Sequence, residues 1–277
     1  MDGPKVPDSV PCVPPTDDFA HAVAADPVDL ETAVLCIGAC GAPEADIDAA
    51  RRHLDELAAA VPEPSVEALV ETLFGPDGFR GDRAEYYHPS NSFLHAVLER
   101  RRGIPITLSI LAMCVGDRIG VTLQGVGTPA HFVLSTDGAG LEPGAPDDRR
   151  YIDAFNGGSI VDRDGLVAQF AALAPGVDIT PYLSPLATHD VIRRVLNNLV
   201  HVYRSTGDRN GLVWSTRLRT TVPGAGAGDH RAHAGALAAA GDFGRAAAVL
   251  DRLAALGSAR AEDELRHEAD RLRARLN

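Results

Sequence analysis

The chain has 277 residues, 45% of them apolar, and a formal net charge of -12. Such a length and apolar content suffice for a buried core and exclude wholesale disorder, while the charge argues against nucleic acid or an anionic membrane as partner. No stretch approaches the roughly 18 consecutive apolar residues of a membrane span. The acidic, Pro-rich opening "MDGPKVPDSVPCVPPTDD" lacks an apolar signal core, which predicts a cytoplasmic protein.

Residues 1–16 read as a mobile tail, and residues 17–76 as a helical segment. "DPVDLETAVLCIGA" has apolar positions at Val28, Leu30, Val34, Leu35 and Ile37, with Asp29 or Asp26 near its start. "APEADIDAARRHLDELAAAV" carries one stripe through Ile47, Ala50, Leu54, Leu57 and Val61, ended by Pro62 and Pro64. "SVEALVETLFG" opens on Ser65 as N-cap and closes at Gly75.

The character changes over residues 77–186. "GPDGFRGDRAEYYHPSN" reads as loop. "NSFLHAVLERR" reads as a short helix capped by Asn91 or Ser92. "RRGIPITLSILAMCVGDRIG" then forms a helix apolar on most sides, which belongs at the middle of a domain. Strands follow in "VTLQGVGT", "HFVLST" and "RRYIDAF", the last two separated by the polar loop "TDGAGLEPGAPDD". This region is α+β, with a buried helix on an antiparallel sheet.

Residues 187–277 are helical and carry a repeat. "STGD" ends at Asp208 and "AAGD" at Asp242, 34 residues on, the tetratricopeptide period. Each copy reads as helix, Gly-Asp turn, helix. The first departs where Trp214 stands opposite Ala248, which suits packing better than a partner anchor. Two copies and a closing helix are few for a free-standing array, so they are expected to pack on the α+β core.

The chemistry-bearing residues lie in the middle region. If "HFVLS" and "RRYID" pair antiparallel, His131 falls opposite Asp153, Val133 opposite Tyr151 and Ser135 opposite Arg149, so that Asp153 can hold one imidazole nitrogen. Such a pair serves either acid-base work or the mutual satisfaction of two polar groups at a sheet edge.

The run from "YYHPSNSFLHAVLERRRGIPITLS" to "HFVLS", followed by "YIDAFNGG", resembles the transglutaminase-like core of the bacterial SirB invasion-regulator family. There the core typically precedes tetratricopeptide-like helices. The resemblance implies a papain-like α+β fold with a nucleophilic cysteine at the N-terminus of the central helix, a histidine at His131 and an aspartate at Asp153. The cysteine position falls within "GIPIT", at Pro105 or a neighbour, and no thiol is there. Cys114 lies nine residues further on, roughly 13 Å along a helix and far from its positive end. Among Leu111, Ala112, Met113 and Val115 it reads as an inert core thiol.

Thr107 and Ser109 are the hydroxyls that could replace the thiol, although Thr107 reads more simply as a helix cap. Asn91, Glu99, Arg101 and Asn156, with Pro105, are candidate binding residues around the same cleft. Asn91 otherwise caps a helix, Glu99 pairs with an arginine, and Asn156 belongs to a turn. Cys36 with Cys40, and His230 with His233, have helical spacing for metal, but no third ligand accompanies either pair. No metal or cofactor is expected. The expectation is a non-catalytic protein acting through a protein or peptide partner. The alternative is a hydrolase or acyltransferase using the His131–Asp153 dyad.

Overall fold

A computed structural model describes residues 16–129, 131–136, 149–255 and 259–276. The expected tail up to Pro15, with Cys12, and residues 137–148 of the expected hairpin loop lie outside the described residues.

Four helices come first: α1 (Thr16–Ala24), α2 (Leu30–Gly41), α3 (Ile47–Ala59) and α4 (Val66–Phe74). The starts of α2, α3 and α4 are fixed by side-chain caps that satisfy otherwise orphaned amides. Asp29 Oδ1 accepts from the Thr32 amide at 2.9 Å, Asp46 Oδ1 from Ala49 at 2.8 Å and Ser65 Oγ from Ala68 at 3.2 Å. A two-residue strand, β1 (Arg80–Gly81), then pairs in parallel with β2 (Arg102–Gly103), and α5 (Leu94–Arg100) lies between them in sequence.

Gly103 leads directly into α6 (Pro105–Ile119), the helix at the centre. Every residue from Pro105 to Ala112 is buried, because α3, α4 and α5 pack on one side and the sheet on the other. Leu108 and Leu111, both fully buried, each contribute roughly 2 kcal/mol by leaving water.

The sheet runs β3 (Leu123–Val126), β4 (Val133–Thr136), β5 (Tyr151–Asp153), β6 (Ser159–Val161), all antiparallel and in that spatial order. Alternation sorts its faces. Leu123, Phe132, Leu134 and Ile152 join the main core with α6. Val126, Val133 and Tyr151 form a second core with Leu166 and Phe170 of α7 (Arg163–Leu173). Leu134 pairs with Ile152 and Ser135 with Tyr151, so the register expected from sequence is corrected by two residues. Parity survives a shift of two, and His131 and Asp153 remain on the same face.

The C-terminal helices are α8 (Thr188–Thr206), α9 (Arg209–Thr221), α10 (Ala227–Ala239), α11 (Phe243–Ala254) and α12 (Ala259–Arg273). The two Gly-Asp corners are built alike. Gly207 and Gly241 take left-handed φ values of 74° and 87°, which only glycine adopts freely. Asp208 and Asp242 then cap α9 and α11 through the amides of Gly211 and Arg245. No described helix is long and apolar enough to cross a membrane.

Candidate functional site

The site forms where the sheet meets the start of α6. Asp153 ends β5 and caps the 3-10 turn Ala154–Asn156, accepting from the Asn156 amide at 3.1 Å. That turn packs on α6 and on β1, and the Phe155 ring fills the space where Gly81 lacks a side chain. Since Gly81 pairs with Gly103, just before Pro105, Phe155 sits beside the end of α6 where partial positive charge accumulates.

His131 stands just before β4, and its Nε2 lies 2.9 Å from Asp153 Oδ2. An ionised carboxylate only accepts, so the proton resides on Nε2 and Nδ1 becomes the acceptor nitrogen of the neutral ring. Asn156 Nδ2 donates to the same Oδ2 at 2.7 Å. Burial alone would raise the Asp153 carboxyl. The hydrogen bonds from His131 and Asn156, together with the charge the imidazole carries when protonated, hold it below the ordinary value. His131 meets Phe155 edge-on at 6.3 Å and Phe170 at 6.0 Å. The result is a polar triad of histidine, aspartate and asparagine between two aromatic rings, able to hold and pass a proton at Nδ1.

The helix start opposite this triad carries no sulfur. Ile104 is the N-cap and Pro105 the first helical residue. Thr107 is therefore two residues inside α6, not its cap, because proline already serves at the start of a helix. The Thr107 and Ser109 hydroxyls are buried with no hydrogen-bond partner among the described residues. Cys114 is 3% exposed, and burial pushes its thiol well above the ordinary range. Cys36 is likewise pushed up, to about 11, by burial and the nearby Asp18.

The remaining sequence candidates go elsewhere. Asn91 does not cap α5, whose N-cap is Phe93 without a side-chain bond. Fully buried, Asn91 accepts from Arg100 at 3.0 Å and donates to the Glu85 carbonyl at 2.7 Å. Arg100 in turn reaches the buried Asp82 at 3.1 Å, so this network ties loop 82–91 to α5. Glu99 is exposed and forms no ion pair among the described residues. Arg101 takes a left-handed φ of 52°, donates to the Asp77 carbonyl at 2.9 Å and lies over Phe79. Asn156 alone of these joins His131 and Asp153. Among the described residues no three His, Cys, Asp or Glu side chains group as metal ligands. His233 instead meets the Thr216 hydroxyl at 3.1 Å.

Sequence reasoning missed Arg83 and Arg194. Arg83 Nη2 donates to Asn156 Oδ1, and its guanidinium lies 5.0 Å from the Phe155 ring. Arg194 reaches out of α8 to donate to the backbone carbonyls of Thr128 at 2.8 Å and His131 at 2.7 Å. Gly127 leaves room for this reach: a Cβ there would stand 2.6 Å from Arg194 Nη1 and displace the guanidinium. Arg194 thus holds the turn that presents His131. A signal existed in "VIRRVL", where an arginine falls among apolar residues of α8 destined for the core.

Comparison with known proteins adds a family. A model described as transglutaminase-like superfamily matches residues 44–197, which include every residue of the triad. Among curated relatives, a UPF0162 protein of Xylella fastidiosa is 33% identical over 144 residues, 50% of this chain and 49% of its own. F-box only protein 21 of Mus musculus is 32% identical over 55% of this chain and 23% of its own. The chain thus spans about half the length of the Xylella relative and under a quarter of the mouse one. A UPF0162 protein of Pseudomonas aeruginosa is 24% identical over 80% of this chain and 82% of its own. Among solved structures, menin aligns over 90% of this chain and 72% of its own, with a TM-score of 0.42 and 10% identity.

Proposed function

This chain belongs to the transglutaminase-like superfamily, and from the site just described we propose that it is a non-catalytic member, acting in the cytoplasm by binding a protein or peptide partner. One observation carries the reading: α6 opens with Pro105, Ile106 and Thr107 where a thiol would be needed, while Cys114 is sealed two and a half turns down the helix. A thiolate cannot be drawn from that position, because its charge would be stranded in an apolar interior. The triad then serves as a polar patch flanked by aromatic rings. The helices beyond it read as tetratricopeptide-like repeats. The 34-residue spacing and the matching Gly-Asp corners support this, and such repeats present concave partner surfaces. The SirB-type assignment rests on the run around "NSFL" and "GIPIT". Cys36 and Cys114, unbridged among the described residues, fit a reducing compartment.

The test is iodoacetamide labelling from about pH 5 to about pH 9, read by mass spectrometry on the native chain and on His131→Ala. Cys114 is expected to stay unlabelled until the protein is denatured. Fast labelling below neutrality that requires His131 would overturn the reading. A second reading, a hydrolase or acyltransferase using the His131–Asp153 dyad, is favoured by the fully formed triad and the unpartnered Thr107 hydroxyl. Turnover of p-nitrophenyl acetate that disappears in His131→Ala would select it.

A further inference from the structure

A line of aromatic rings leads from solvent to the triad. Tyr87 is 61% exposed and Tyr86 37%, two of the few large apolar side chains that the described surface displays. Their rings meet edge-on at 5.2 Å, Tyr86 meets Phe155 at 6.0 Å, and Phe155 meets His131 at 6.3 Å. On the α8 side Tyr87 lies 5.8 Å from the His201 ring. Tyrosines that stay exposed and stacked beside a polar patch are a characteristic of binding surfaces.

The charge along this line runs against that of the whole molecule. Arg83 and Arg194 flank the rings, and both spend their hydrogen bonds on neutral acceptors: the Asn156 amide oxygen and the carbonyls of Thr128 and His131. Neither forms an ion pair among the described residues. Elsewhere Arg51, Arg100, Arg118 and Arg193 all find carboxylates. The nearest acid of the triad, Asp153, is 6% exposed and already bonded to His131 and Asn156. Within the loop Asp82 is taken by Arg100, and Glu85 pairs with neither arginine among the described residues. A guanidinium without a carboxylate, exposed at Arg83 and half-buried at Arg194, in a chain of net charge -12, is a place where an incoming anion gains.

We propose that the Tyr87–Tyr86–Phe155 line, flanked by Arg83 and Arg194, is the docking surface for an acidic peptide segment of a partner protein, whose carboxylate side chain settles beside Phe155. This deepens the partner-binding reading and rests on it. The aromatic rings supply apolar contact for the peptide, and the two arginines supply the charge that selects Asp or Glu and rejects Lys or Arg.

The experiment is selection of a displayed random heptapeptide library on the immobilised full chain, followed by affinity measurement of the recovered peptides. The expected result is enrichment of Asp or Glu at one fixed position. Affinity should drop about tenfold on Arg83→Gln and on Tyr87→Ala, both exposed positions whose change leaves the core intact, and fall further as salt rises. Recovered peptides without acidic enrichment, affinity indifferent to both variants, or no recovery at all would each overturn the proposal. So would self-association of the free chain that Arg83→Gln abolishes, since the surface would then belong to a second copy. Labelling of Cys114 reports on the catalytic question alone: a reactive thiol with acidic-peptide binding retained removes the non-catalytic reading and leaves this surface standing.

Discussion

The two Gly-Asp hairpins share a corner and differ in everything the corner holds apart. In the first, α8 and α9 bury Val191, Ile192, Val195, Leu196, Leu199, Tyr203 and Leu218 in the main core, with Trp214 packed against Tyr203 at 5.5 Å and Phe93 at 6.5 Å. In the second, α10 and α11 close with α12 over a small, alanine-rich cluster of their own, to which α9 lends Val213. The two hairpins thus do two jobs. The first is part of the main core, where Trp214 adds to its packing. The second stands outside that core, joined through Arg193, which bonds the Val222 and Pro223 carbonyls and lies 3.6 Å from Asp229.

The largest effect that tests this division is truncation. A chain ending at Gly224 keeps α8 and α9 and is expected to unfold in one cooperative transition, followed by circular dichroism. A chain ending at Leu186 loses Arg194 and one wall of the core and is expected not to fold. Equal behaviour of the two truncations would erase the distinction. Next come paired cavities. Leu196→Ala and Leu250→Ala, both at fully buried positions, should each cost about 3 kcal/mol locally. The first should lower the melting of the whole molecule, while the second should release α10–α12 to hydrogen exchange and leave the sheet protected.

Smaller, and closer to the site, is the contrast between neighbouring arginines on α8. Arg194→Gln removes two charged hydrogen bonds to the His131 turn, at a cost of about 2 kcal/mol, and should shift the His131 imidazole NMR resonances. Arg193→Gln, facing the α9–α10 join, should leave those resonances in place. If both variants move them alike, Arg194 has no special hold on the site. The smallest effect is acid sensitivity. Burial first, then the nearby Arg217, depresses His233 from 6.5 to about 4. The unfolded chain therefore binds more protons in that window, and stability present above about pH 6.5 is lost as pH falls toward 4. His233→Gln should flatten this loss in the unfolding of α9–α12.

Much of this was legible in the residues. Asp29 and Ser65 announce helix starts because each is a short polar side chain ahead of an apolar stripe, and both serve as caps; the Gly-Asp turns ending at Asp208 and Asp242 likewise mark where α9 and α11 begin. His131 and Asp153 were visible through strand parity, which tolerates a register error of two. What stayed hidden depends on distant segments. Neither Arg83 nor Arg194 has a local pattern that says which carbonyl or amide it will reach, and β6 and α7 lie in a stretch too weakly patterned to read. Asn91 looked like a cap because the chain around it is polar, but its amide is consumed by Arg100 and Glu85 across loop 82–91.

That network has a further consequence. The loop bearing Tyr86 and Tyr87 is pinned at one end by the β1–β2 pairing and at the other by Asn91, with Asp82 and Arg100 tying its base. Rings presented this way have surrendered their freedom during folding, so a visitor does not have to freeze them again on arrival. Binding there should show little entropic penalty and little loop movement between the free and occupied states, in the manner of a preset jaw and not of a closing hand.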